Sequence, residues 1–185
     1  MKHLIAIILT LILIVYLLIH GTSRAFQVST TVNVPYKFLN ASERKEIDCL
    51  ADNIYYEAGY EPKEGMVAVA TVTLNRVKTN LFADTVCGVV KQKTQGTCQF
   101  TWLCDGSHKR NPNPDMYEQA RQIALYVYFN HTVIEDITKG AIYYHADYVS
   151  PGWNHLKKTI KIGRHIFYTD PKVRNDYATK TQYKT

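Results

Sequence analysis

The 185-residue chain contains no internal repeat and no low-complexity segment, so neither a solenoid nor a propeller is written into it. It has no C-x-x-C and no H-E-x-x-H spacing, and hence no ready set of tetrahedral zinc ligands. No metal and no organic cofactor is expected. Also missing is any run of basic residues interleaved with aromatics: the 22 lysines and arginines are scattered as on an ordinary solvated surface, and no nucleic-acid groove is expected. The chain is too short for two domains of ordinary size, and its 46% hydrophobic content is enough for one core.

The net charge of +6 favours anionic partners, which charge alone leaves as nucleic acid, a membrane surface or a wall polymer. The N-terminus speaks to the compartment. Met1-Lys2-His3 is a short positive region, Leu4 to Ile19 is a sixteen-residue apolar stretch, and Ser23-Arg24-Ala25 supplies small residues of the kind a signal peptidase accepts. This is the pattern of an export signal, either cleaved after Ala25 or kept as an anchor in the inner membrane. The expected organisation is signal peptide or anchor over 1–25, a linker or short leading strand over 26–39, one domain over 40–170, and a polar tail over 171–185. Cys49, Cys87, Cys98 and Cys104 fit an exported protein with two disulfides, for which three pairings are open.

Within the domain, Ile47, Leu50, Ala51, Ile54 and Ala58 recur at helical spacing, opened by an Asn40 and Glu43 capping pair and closed by Gly59 as a left-handed cap. Glu57 falls at the edge of that stripe in the last turn. Desolvation and the negative end of the helix dipole both disfavour its ionised form, which suits a carboxyl group to proton donation near neutral pH. Tyr55, Tyr56 and Tyr60 are expected to crowd it. Pro62 opens a second helix, apolar on most sides through Val77, that supports the first from behind. Asp84 is expected to cap a short third helix, Cys98 to Trp102 to form a strand turning at Asp105-Gly106, Pro114 to start a fourth helix, and Ala141 to Ala146 to be a strand.

The blocks CLADNIYYEAGYEP, GMVAVATVTLNRV, DTVCGVV, CQFTWLCDG, AIYYHADYVSPGW and IGRHIFY resemble, in order and spacing, the SleB/CwlJ-type cell wall hydrolase family. The resemblance runs from Cys49 to about Tyr168. It implies an α+β, lysozyme-like fold, a mainly helical lobe with a small antiparallel sheet facing a cleft, and cleavage of peptidoglycan glycan strands with Glu57 as the acid. Two departures stand out. Gly59-Tyr60 replaces the usual Arg-Gly, and Met66 replaces the usual glutamine, both expected to alter the cleft wall.

Glycosidic cleavage needs a proton for the leaving oxygen and stabilisation of the cationic centre. Glu61, Asp105 and Asp147 are candidates for a second carboxylate. Without one, the substrate must assist itself through its N-acetyl group, and Glu57 then acts as base to give a 1,6-anhydro end, the lytic transglycosylase outcome that the resemblance favours. Tyr56, Glu61, Gln99, Thr101, Tyr144 and His145 are the candidate substrate contacts, the last matching the family's Y-H-A block. The expected partner is peptidoglycan, with the membrane added if the N-terminal segment stays attached, and the chain is expected to act as a monomer. The competing readings are muramidase hydrolysis, a zinc-dependent amidase or peptidase built on His145, His155 and a carboxylate, and a non-catalytic wall-binding protein.

Overall fold

A computed structural model describes residues Val32 to Val173. The segment read as an export signal and most of the tail lie outside the described residues. Among those described, no helix is long and apolar enough to cross a membrane.

Helix α1 spans Ala41–Ala58. The Asn40 side chain accepts from Glu43 N at 2.9 Å, and the Glu43 carboxylate accepts from Asn40 N at 2.9 Å, so two orphan donors of the first turn are satisfied reciprocally. The apolar stripe is fully buried: Ile47, Leu50, Ala51 and Ile54 are at 0% exposure. Gly59 closes the helix, but not as the left-handed cap expected. Its φ of −59° is right-handed, and glycine is required there because a Cβ would stand 2.4 Å from the Tyr55 carbonyl oxygen. Close approach, not handedness, selects the residue.

Helix α2, Lys63–Val77, follows Pro62, which is the N-cap and not the first helical residue. It is buried on nearly every side from Gly65 to Arg76, as its composition predicts for a central helix. Helix α3, Val86–Val90, is capped by Thr85, whose hydroxyl accepts from Gly88 N, and not by Asp84. Helix α4, Pro114–Asn130, is capped by Asn113 and buries Ala120, Ile123 and Val127. These helices share one core. The stretch before α1 joins it: Val34 and Tyr36 pack on the core, and Asn130 Nδ2 donates to Val32 O at 2.8 Å. Residues 32–39 therefore lie against the domain, with a 3-10 turn at Tyr36–Phe38 in place of a strand.

Two small antiparallel sheets complete the fold. Strands β1, Lys93–Thr94, and β2, Thr97–Cys98, form a hairpin around Gln95 and Gly96, with φ of 50° and 82°. That pair of positive φ angles is the signature of the two-residue turn that matches strand twist. The strand expected to run to Trp102 stops at Cys98, because Thr101–Leu103 coils into a 3-10 turn. The larger sheet is built from β3, Tyr143–Ala146, β4, Lys157–Ile162, and β5, His165–Thr169, in the order β3-β5-β4. Phe167, fully buried, packs with Ala68, Val72 and Ala141, which fixes the sheet against α2. The disulfides join Cys49 to Cys87 and Cys98 to Cys104.

Candidate active site

Glu57 lies in the last turn of α1, half-buried, where the stripe meets a cavity of about 260 Å³. Its Oε2 accepts a hydrogen bond from Tyr144 Oη at 3.1 Å. Burial pushes its pKa up from the ordinary value, Asp105 adds to this, and the Tyr144 hydrogen bond and the Arg76 charge partly oppose it. Tyr144 is itself pushed well above the usual phenol range, first by burial and then by the Glu57 charge, so its hydroxyl keeps its proton and stays a donor.

The supports are polar groups inside the core. Asn53, one turn before Glu57 and at 0% exposure, donates through Nδ2 to Thr73 Oγ1 at 3.1 Å and accepts from Trp102 Nε1 at 3.3 Å. It ties α1, α2 and the 3-10 turn together just behind the acid. Arg76, near the end of α2 and 3% exposed, donates through Nε to Ile142 O at 2.7 Å. Its guanidinium lies 4.9 Å from the Phe82 ring centre, 5.3 Å from that of Phe100 and 5.9 Å from that of Tyr143. Phe100, Gln99, Tyr143 and Trp153 complete the cavity wall.

Of the residues expected from sequence, Glu57, Gln99 and Tyr144 meet at this cavity. Tyr56 does not. It stacks on Trp102 with ring centres 4.7 Å apart and lines a separate cavity of about 330 Å³ with Asp52, Lys91 and His108. The Tyr55 hydroxyl accepts from Asn113 N at 2.9 Å at the N-terminal end of α4, and Tyr60 is 94% exposed, so the expected crowd of Tyr55, Tyr56 and Tyr60 around Glu57 is absent. Met66, at 1% exposure, belongs to the core and not to the cleft wall. Glu61 accepts from Arg164 N at 2.9 Å and thereby clasps the β4–β5 turn. Thr101 is exposed in its 3-10 turn.

His145 points from β3 to the sheet face opposite Tyr144, as period-two alternation requires. Its Nε2 meets Tyr168 Oη at 2.9 Å and its Nδ1 meets Ala146 O at 2.8 Å. It reaches the cavity only through Trp153, whose ring centre is 5.6 Å away. Asp147 is occupied by Lys161 at 2.9 Å. Among the described residues, no three His, Cys, Asp or Glu side chains cluster as metal ligands would. Sequence reasoning missed Asn53, Arg76, Tyr143 and Trp153. The signal for the first two was available: an amide inside the apolar stripe, and a cation at the end of a helix otherwise apolar all round.

The model of a family described as Cell Wall Hydrolase matches residues 60–168. The chain belongs to the cell wall hydrolase family. The matched span begins three residues after Glu57, so the acid itself stands just outside it. The chain is 37% identical over 139 residues to a spore cortex-lytic enzyme of Oceanobacillus iheyensis, covering 74% of this chain and 45% of that protein. It is 35% identical over 143 residues to the spore cortex-lytic enzyme of Bacillus subtilis, covering 76% and 42%. The chain thus spans less than half the length of those relatives. Among solved structures, it resembles the catalytic domain of the germination-specific lytic transglycosylase SleB from Bacillus anthracis, with a TM-score of 0.55 and 33% identity over 74% of this chain and 100% of that one. The SleB catalytic domain of Bacillus cereus gives 0.50 and 30%, over 68% and 91%. The α+β architecture is that of these catalytic domains.

Proposed function

We propose that the chain is an exported peptidoglycan lytic transglycosylase that cuts between N-acetylmuramic acid and N-acetylglucosamine, with Glu57 as single acid and base. One observation carries the reading: Glu57 is the only carboxyl group lining its cavity among the described residues, and burial keeps it protonated to higher pH than an ordinary glutamate. The description of the Bacillus anthracis relative as a lytic transglycosylase supports the same outcome.

In the first step the Glu57 proton passes to the glycosidic oxygen as the bond from that oxygen to C1 of the muramic residue breaks. With no second carboxylate in the cavity, the muramic acetamido oxygen closes on C1. Glu57, now a carboxylate stabilised by the Tyr144 hydroxyl, takes the proton of the muramic 6-hydroxyl. The O6 bond to C1 forms as the acetamido oxygen leaves, giving a 1,6-anhydro end without consuming water. Mass spectrometry of products from purified sacculi tests this. Anhydro ends, one water lighter than reducing ends, are expected; reducing ends would mean muramidase hydrolysis, and free peptides lost on chelation would mean a zinc amidase.

A further inference from the structure

Among the described residues, Arg76 is a buried cation with no carboxylate in ion-pair contact. Only Nε is used, on a backbone carbonyl, while Nη1 is buried without an acceptor. Among the described residues Arg76 forms no ion pair within 4 Å, and the neighbours of its guanidinium are ring faces. Such a group costs stability unless something else completes it, since both the charge and the idle donor are out of water. Arg76 lines the same cavity as Glu57, so an acceptor that completes it can enter with the scissile sugar. Glu57 does not serve: its bonded oxygen takes the Tyr144 hydroxyl, and in the acid-ready state the group is neutral.

We propose that Arg76 receives the lactyl carboxylate of the muramic residue at the scissile bond, so that the preferred substrate is a glycan strand already stripped of stem peptides. The inference rests on the glycan-cleaving reading of this site. A muramic residue bears its lactyl arm on C3 of the ring whose C1 is attacked, which brings an oxygen acceptor into the cavity beside the acid. With a stem peptide attached the arm ends in a neutral amide; after amide hydrolysis it ends in an anion, and only the anion answers an unmatched guanidinium with charge as well as a hydrogen bond. The anion also cancels the Arg76 charge that pulls the Glu57 pKa down, and so holds the acid in its protonated form until the proton is used. The reaction class that supplies this substrate is hydrolysis of the amide between lactyl group and peptide.

The test uses one batch of glycan strands in three forms: peptide-bearing, amidase-stripped, and stripped then methyl-esterified on the lactyl carboxyl. The parent enzyme is expected to cut stripped strands about tenfold faster or more than either other form, the size of a charge-assisted hydrogen bond. Arg76→Gln should level the three rates, and Arg76→Lys should keep part of the preference. Equal rates on all three forms with the parent enzyme overturn the inference, and that comparison needs no variant that might misfold. Binding is read separately with Glu57→Gln, which should hold stripped strands more tightly than esterified ones. If no form is cut, the proposed function fails, while equal binding of stripped and esterified strands still overturns the role of Arg76 on its own account.

Discussion

At the residue scale the proposed chemistry depends on a carboxyl group, Glu57, whose environment opposes its charge. Glu57→Gln keeps the shape, and its amide oxygen can still accept from Tyr144, so the fold should persist while glycan cleavage falls by about 100-fold or more. The same change has a thermodynamic signature. A folded-state pKa raised above the ordinary 4.5 means that the folded protein holds this proton more tightly than the unfolded chain does. The contribution to stability is therefore complete below about pH 4.5 and is lost as pH rises through the folded value. Melting curves should show Glu57→Gln gaining on the parent at pH 8 and matching it near pH 4, and the reverse trend would mean that the carboxylate is not desolvated. Tyr144→Phe removes the donor that favours the carboxylate, so the apparent pKa of the acid should move up in the pH–rate profile, with a rate loss of roughly tenfold. Glu57 was legible because its position depends on helix periodicity alone. Tyr144 was named only as a candidate substrate contact; its hydrogen bond to Glu57 and the placement of Arg76 at the same cavity were not legible, because no local pattern encodes how β3 and α2 meet the end of α1.

At the element scale the helices were legible, since a stripe such as Ile47 to Ala58 and a capping pair such as Asn40 and Glu43 are written within one turn of each other. The sheets were less so. Two-residue strands carry no alternation to detect, and β4, KKTIKI, presents only Thr159 and Ile160 together with Ile162 as half-buried positions. What holds the larger sheet to the helical lobe is also invisible in sequence: Glu61 at the start of α2 accepts from Arg164 N in the β4–β5 turn, 103 residues on. Gly163 in that turn has a φ of 55°, and a Cβ there would lie 1.9 Å from Glu61 Oε2. Gly163→Ala should therefore cost roughly 1–3 kcal/mol through backbone strain and loss of the clasp. Chemical denaturation reads the loss. A neutral result would mean that the turn relaxes without the clasp, and that Glu61 is free for a role at the cleft.

For the whole molecule, covalent closure and compartment are one question. Cys49–Cys87 closes a loop of 38 residues between α1 and α3, whereas Cys98–Cys104 closes one of only 6, beside the 3-10 turn that carries Trp102. In the chain-entropy picture the longer loop is worth about 4 kcal/mol and the shorter about 2 kcal/mol, against a typical total of about 5–15 kcal/mol for a domain. A reduced chain would thus forfeit a large share of its stability, and only an oxidising compartment allows the protein its full stability. This agrees with the export signal proposed for residues 1–25, and it gives that proposal a physical consequence: chain held in a reducing compartment should be less stable than chain with both disulfides formed. Thiol titration of the denatured, unreduced protein should find almost no free thiol in material recovered from the envelope. Replacing Cys49 and Cys87 by serine should lower the denaturation midpoint more than replacing Cys98 and Cys104. The shorter pair should instead affect glycan cleavage more than stability, because Gln99 and Phe100 of the cavity wall lie within its loop. Four free thiols in envelope material, or equal loss of stability and activity from the two pairs, would separate the disulfides from export and leave the apolar N-terminal stretch to be explained by another role.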